Sequence, residues 1–542
     1  MRSTPAIAAS SDETARSRLI WGLSPQAAAI LAAILIVTIA AYLPSLRNGW
    51  VIDDWEVFVN NKLIHSWSFV TNSFRYDSWW FRKPESLPQS AFYRPLVNVW
   101  FAAMSWLFGA HPAPWHLSKI ILHVAAVLLC FRVAKLLTRD DTVALLAAAL
   151  FGFLPAQVEA VVWTSAIAEP LSTVLELGAL LCLIERKPGV SRGLIGALFL
   201  YGCALLTHES SLLFPLIVGA YVFLIERGED DSRGMAAMSV AAPFVLMAIA
   251  YLCIRAQVLG FGNVLGLPQY RPPSALRGTL IPTPHYPPVQ VLLTIPVVML
   301  AYLEVEVIPG VAGPAHAVNW ITRPAPIAFE SAGLLLILAA FGFALIKRSP
   351  DRRLYIFCVV WSLLTIAPAL NLNSILFLVH DRYLYAPSFG FSLAFALAAT
   401  RIARVNRTAR TAVGTAMALL LAAYVASTIR TERFWYDDVA FFRQCVAIAP
   451  TDLDYRLRLH AALNTAGDRA GALVQLQRDV EMYPDVPYLR LMLARQYQSM
   501  GRELDFEREF QKFTELSSAM AASGTAQPAG PPGAESGATS SP

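Results

Sequence analysis

Eleven apolar runs, each close to the ~20 residues that cross a hydrocarbon core, leave this chain few choices of fold. They are residues 26–46, 116–137, 142–164, 166–185, 193–207, 211–226, 235–256, 327–347, 354–371, 383–400 and 411–429. A backbone in lipid must satisfy its own hydrogen bonds, so the runs predict helices and the chain an all-α, polytopic membrane bundle. Of 542 residues 56% are hydrophobic and 15% charged, and mean hydropathy is +0.50, which excludes a soluble globule. The net charge of +5 sits in loops beside apolar runs, where Lys and Arg act as topology signals, so nucleic acid is not an expected partner. Cys130, Cys182, Cys203, Cys253 and Cys358 lie in apolar stretches and Cys445 in a polar one, without metal-ligand spacing. Neither a disulfide framework nor a zinc site is expected.

Arg2, Arg16 and Arg18 precede a first run too long for a signal-peptide core. Residues 1–25 are therefore read as a cytoplasmic tail before an uncleaved first transmembrane helix. Alternation then puts the basic loops 135–139, 186–192, 227–233, 347–353 and 401–410 in the cytoplasm, as the positive-inside rule requires. Two more apolar stretches, 95–110 and 289–307, would break that alternation by crossing, so they are expected to be interfacial or re-entrant. The opposite face collects loops 47–93, 257–288 and 308–326 and everything after 430. Function is expected on that extracytoplasmic face.

Beyond Thr431 a period of 34 appears: Pro450 and Pro484, Gly467 and Gly501, Leu459 and Leu493, Leu463 and Tyr497, and Leu476 and Phe510. Gly at the inter-helix turn and Pro closing the second helix are the tetratricopeptide signature. The expected division is a transmembrane domain over 26–430, with first outer loop 47–93, and repeat hairpins over 431–517 capped at their membrane end by a helix at 437–449. Residues 518–542, rich in Ser, Ala, Gly and Pro, are expected to be disordered.

Charges near membrane depth are costly, so the polar groups at the outer ends of the runs are candidate functional groups. Asp53 and Asp54 stand between Trp50 and Trp55; such a pair can supply a general base or hold a divalent cation, or be an ordinary loop doublet. Tyr93 and Arg94 come next, then His116, Lys119 and His123 on one helical face. Arg94 is a plausible phosphate contact, whereas His123 alone also reads as a hydrogen-bonded core histidine. Glu159, Glu169, His208 and Glu209 mark later outer ends, as pocket groups or as caps. His380, Asp381, Arg382 and Tyr383 open the run at 383–400, where an Arg steadied by its neighbouring Asp would grip a phosphate. Five clusters from distant parts of the chain thus gather on one face.

Taken with their spacing, these words resemble the GT-C superfamily of polytopic glycosyltransferases, in its transmembrane and tetratricopeptide-repeat, protein O-mannosyltransferase-like branch. The resemblance rests on Asn48 to Asn61 with its acidic pair, Tyr93 to Val97, His116 to Ala125, Leu154 to Trp163, His208 to Ser210, Asp381 to Phe391, and Trp435 with Asp437. It departs from the branch at Leu154 and Gln157, where histidines are expected, at His208, where Lys is expected, and at Ala168 before Glu169. These departures bear on the sugar and on any metal held through those histidines, and leave the class intact.

The resemblance implies sugar transfer from a polyprenyl-phosphate carrier at the outer face of a bacterial-type inner membrane or the lumenal face of the endoplasmic reticulum. In that reaction Asp53 is the expected base, with Asp54 as its alternate or as partner to acceptor or cation. Arg382, then Arg94, would take the donor phosphate. Tyr93, His116, Lys119, His123, Glu159, His208, Glu209, His380, Asp381 and Tyr383 would line the pocket. A single displacement predicts inversion. The repeats favour a protein Ser or Thr acceptor over a lipid or glycan. Competing readings are a flippase or transporter, which predicts charges near the bilayer midplane, and an inert anchor for the repeats.

Overall fold

The computed structural model describes residues 22–82, 90–186, 192–226, 233–261, 287–319, 321, 323–370 and 378–522. Among them there is no strand. The helices are α1 (Pro25–Tyr42), α2 (Trp67–Ser73), α3 (Pro95–Phe108), α4 (Pro112–Thr138), α5 (Asp141–Phe153), α6 (Val158–Val162), α7 (Ala168–Ile184), α8 (Arg192–Leu205), α9 (Phe214–Leu224), α10 (Arg233–Leu259), α11 (Pro288–Val307), α12 (Pro326–Ile346), α13 (Arg352–Ile366), α14 (Pro387–Ala403), α15 (Arg407–Glu432), α16 (Asp438–Ile448), α17 (Leu453–Thr465), α18 (Arg469–Met482), α19 (Pro487–Ser499) and α20 (Glu503–Ala522). The all-α, polytopic reading is thus the observed one. Most of residues 1–25, 257–288 and 518–542, and much of the loops at 186–192 and 227–233, lie outside the described residues.

Seven helices are long and apolar enough to cross a membrane, or eight if α5 and its bent continuation count as one. Four expected crossings, 166–185, 193–207, 211–226 and 383–400, contain helices of only 17, 14, 11 and 17 residues. They stop short where the chain unwinds into polar or 3₁₀ turns, including Glu209–Leu213 and Asp381–Leu384. The expected 95–110 stretch is the 14-residue α3, short for a crossing, whereas 289–307 is a continuous 20-residue helix that passes the length test. At the other end of the chain, α20 runs to Ala522, so 518–522 are helical rather than disordered. Their Ser, Ala and Met residues carry little or no helix penalty.

The expected straight crossing at 142–164 is broken by a 52° bend. Pro155 offers no N–H to carry α5 onward. The carbonyls left open at the break are taken by neighbours: Thr428 Oγ1 of α15 donates to the Phe153 carbonyl at 3.0 Å, and His123 Nε2 of α4 lies 3.2 Å from that of Gly152. Such substitute partners are what a broken helix in lipid needs. The bend turns α6, and with it Glu159, toward the start of α14. That start packs against α13 at Gly390, where a Cβ would clash with the Cys358 carbonyl.

A single apolar core joins α1, α4, α5, α7, α9, α13, α14 and α15 and continues into the repeat region through Tyr455, Leu459 and Ala472. An aromatic cluster of Trp50, Phe58, Phe101 and Trp115 anchors the loop after α1, with Trp50 and Trp115 edge to face at 5.6 Å. Leu457, Leu476, Leu489, Leu493 and Tyr497 make a third core in the repeat hairpins. There the offset glycines Gly467 and Gly501 take matching left-handed turns, at φ 83° and 71°.

Candidate active site

The turn after α1 separates the two aspartates. Asp54 is fully buried: its Oδ1 accepts from Ser165 N at 2.9 Å and Ser165 Oγ at 2.5 Å, and its Oδ2 from Val51 N at 3.2 Å. Burial pushes its pKa up to about 7 against the pull of these donors. Asp53 is partly exposed and opens on a cavity of about 150 Å³. Its pKa is also raised, because lost hydration outweighs the lowering by Arg82 and Arg382. Asp54 thus spends both carboxylate oxygens on the turn and on Ser165, and Asp53 is the one of the pair that faces the cavity. Among the described residues no group of three or more His, Cys, Asp or Glu could hold a metal ion.

The same cavity is lined by Arg94, Arg382 and Tyr383, with Glu169, Ser165, Trp163, Ser78 and Asn98. Arg94 sits before Pro95 at the start of α3, its backbone N–H fixed on Ser78 Oγ at 2.9 Å. Its Nε and Nη2 donate to the two oxygens of Glu209 at 2.8 and 2.6 Å, and the guanidinium lies 4.5 Å over Phe92. Of the five N–H groups of an arginine, the Nη1 pair finds no acceptor among the described residues. Glu209 is held well below the usual carboxylate range: burial alone would raise it, but Arg94 beside it prevails.

Arg382 is more fully committed. Its Nη1 pairs with Glu159 and lies 3.1 Å from His380 Nδ1, its Nε is 3.2 Å from Glu169, and its Nη2 donates to the Tyr383 hydroxyl at 3.2 Å. Trp163 and Tyr383 face the guanidinium at 5.0 and 4.7 Å. The expected support from Asp381 is absent. Asp381 turns the other way, accepting from His316 Nε2 at 2.6 Å and Gly313 N at 2.7 Å, because the 3₁₀ turn sends successive side chains to different sides. Burial alone would lower the pKa of His316, and Asp381 reverses that, leaving it raised.

That pair has a pH signature. A histidine whose folded pKa lies above its unfolded value stabilises fully below about 6.5, and that stability is lost as pH rises through the folded value. Asp381→Asn should therefore cost about 1–3 kcal/mol near pH 6 and less near pH 9, with donor affinity unchanged. Thermal unfolding at the two pH values checks this; an equal loss at both, or weakened donor binding, overturns it.

The remaining expected pocket residues lie behind the cavity wall. His116 is buried beside Trp50, and Lys119 Nζ is buried without a hydrogen-bond partner among the described residues, under the influence of Glu169 and Asp54. His123 is two helical turns deeper, bonded to the Tyr385 hydroxyl at 2.8 Å, and serves the broken helix rather than the pocket. Tyr93 braces the first loop, its hydroxyl donating to the Phe74 carbonyl at 3.1 Å. His208 caps the turn before α9 through Ser210 N, with its Nε2 3.9 Å from Glu169. Glu159, Glu209 and His380 reach the cavity only through the arginines they hold.

Ser165, His316 and Asp438 escaped the sequence reading, and Glu169, read as either a pocket group or a cap, lines the cavity. Asp438 accepts from Ile52 N at 2.8 Å and Trp55 Nε1 at 2.9 Å, while its neighbour Asp437 caps α16 through Ala440 N at 2.7 Å. The one available signal was the second Asp-Asp doublet at 437–438, echoing the first.

With this geometry in place, comparison with known proteins adds weight. Human protein O-mannosyl-transferase TMTC1 is 24% identical over 534 residues, covering 87% of this chain and 57% of the relative. Protein O-mannosyl-transferase Tmtc3 of Drosophila melanogaster is 23% identical over 548 residues, covering 88% of this chain and 58% of the relative. This chain resembles the O-mannosyl-transferases of the TMTC branch along most of its length. Human protein O-mannosyl-transferase TMTC3 reaches 29% identity over 197 residues, 35% of this chain and 21% of the relative. No family model matches the chain. The chain thus spans a little over half the length of the relatives it matches most broadly.

Proposed function

We propose that this chain is a glycosyltransferase that moves a sugar, mannose on the names of its relatives, from a polyprenyl-phosphate carrier to a protein Ser or Thr hydroxyl. The observation that carries the reading is the cavity itself, in which one open carboxylate, Asp53, shares a wall with two arginines, Arg94 and Arg382. In one displacement Asp53 takes the acceptor proton as the new oxygen–carbon bond forms, and the bond to the carrier phosphate breaks with its electrons on the phosphate. The anomeric centre inverts. Arg94, with its Nη1 edge uncommitted, is the better placed of the two for the departing phosphate, and Arg382, spread over Glu159, Glu169 and Tyr383, shapes the wall. Asp54 holds the turn. Residues 26–430 form the catalytic membrane domain and 431–517 the repeats, which bring the peptide acceptor. The site works on the extracytoplasmic face of a bacterial inner membrane, with the N-terminus in the cytoplasm.

The test is transfer by the full chain in lipid nanodiscs, with polyprenyl-phosphate mannose and a Ser/Thr peptide, read by mass spectrometry. Mannosylated peptide in the presence of chain and donor is expected; a peptide left unmodified while a lipid or glycan acceptor is glycosylated overturns the protein acceptor. The rate should also follow pH. A base acts when deprotonated, so activity rises with pH through the folded pKa of Asp53, which lies above the 3.8 of a free aspartate. An acidic limb at or below about pH 4 would remove Asp53 as the base.

A further inference from the structure

The turn that carries Asp53 is held from outside by residues 436–438, and it needs holding. Ile52, a β-branched residue, stands at φ 54° in the left-handed region, which only a few side chains enter without outside support. Its N–H is turned onto Asp438 Oδ1 at 2.8 Å, and the other oxygen of the same carboxylate takes Trp55 Nε1 at 2.9 Å. Just upstream, Gly49 N donates to the Tyr436 carbonyl at 2.9 Å. Asp438 therefore bridges the residue before Asp53 and the residue two after it. It is free to do so because Asp437 already caps α16. From the inner side Asp54 holds Val51 N and Ser165. The turn is clamped on both flanks, and the Asp53 side chain is the part left to face the cavity.

We infer that Asp438 is a positioning residue for Asp53, so that the segment entering the repeats sets the aim of the general base. The inference rests on the functional reading above for the role of Asp53, but its structural half does not. Asp438 touches neither cavity nor substrate; it fixes the backbone conformation from which Asp53 projects. A displacement of about 1 Å at a reacting group is enough to cost about 10²-fold in rate. Acceptor binding on the repeats would then bear directly on the catalytic turn through α16.

The experiment uses the full chain in nanodiscs with Asp438→Ala, Asp438→Asn and Trp55→Phe, and three measurements. Amide hydrogen exchange over 49–58 reads the clamp without reference to any activity, and should rise by about tenfold in Asp438→Ala and less in Trp55→Phe, which removes one donor. Turnover should fall by about 10- to 10²-fold with donor Kd unchanged. Thermal unfolding should move little, since the two donors released, Ile52 N and Trp55 Nε1, are partly or fully exposed and can turn to water. Asp438→Asn keeps the shape and one acceptor, and should fall between Ala and the unchanged chain. Unchanged exchange over 49–58 overturns the clamp. Raised exchange with full turnover overturns the positioning role, as does a turnover loss matched by loss of donor binding and thermal stability. If the unaltered chain shows no transfer to any acceptor, the functional reading fails, and the exchange result still decides the clamp.

Discussion

Replacing Asp53 with asparagine should lower the transfer rate by about 10²- to 10⁴-fold while leaving the chain folded and able to bind its lipid donor. The side chain keeps its size, makes no hydrogen bond that holds the turn, and loses only the capacity to take a proton. Asp54→Asn should behave differently. Its amide nitrogen cannot accept from Ser165 or Val51, so one buried donor set goes unmet and about 1–3 kcal/mol of stability is lost, with activity falling as the folded fraction falls. Turnover per folded molecule, set against thermal unfolding, separates the two. Full activity in Asp53→Asn would end the case for catalysis by this residue.

The second large effect is expected at Arg382, on the fold more than on donor binding. Arg382→Ala strands Glu159, 4% exposed, and Glu169, 10% exposed, without their cation, a change that costs about 3–5 kcal/mol when a buried pair is broken. Arg382→Lys should recover part of that, keeping the charge and losing the planar fork. Arg94→Ala should show the reverse balance. Glu209 keeps Arg255 at 4.0 Å, so stability falls less, while donor Kd weakens by about 10- to 10²-fold. Thermal unfolding and donor titration on the three variants give the comparison. An Arg382→Ala chain as stable as the original, with donor binding lost, would restore Arg382 as the principal phosphate group.

The all-α, polytopic character was legible because apolar run length is a local property. So were the polar clusters at the ends of the apolar runs, since a charge beside lipid declares itself in one dimension. Partnership was not. Arg382 and Asp381 are adjacent in sequence and pair with different elements, Glu159 across 223 residues and His316 across 65. The face shared by His116, Lys119 and His123 was read from helical spacing, but that spacing could not say that the outer two lie behind the cavity and the third under a broken helix. The break at Pro155 was written in the sequence and read as part of a straight crossing, because the apolar run continues past it. Ser165 carried no signal, being one more small polar residue after an aromatic.

The long reach from Ile52 to Asp438, 386 residues, also sets a schedule. At translation rates of about 5–20 residues per second, the acidic turn emerges roughly 20–80 seconds before the carboxylate that locks it. Through that interval the nascent chain already holds Asp53, yet lacks the Asp438 contact that clamps its turn. A ribosome that stalls anywhere in the membrane segments releases a chain with an unfinished site, so assembly of the turn reports that synthesis has passed the final crossing.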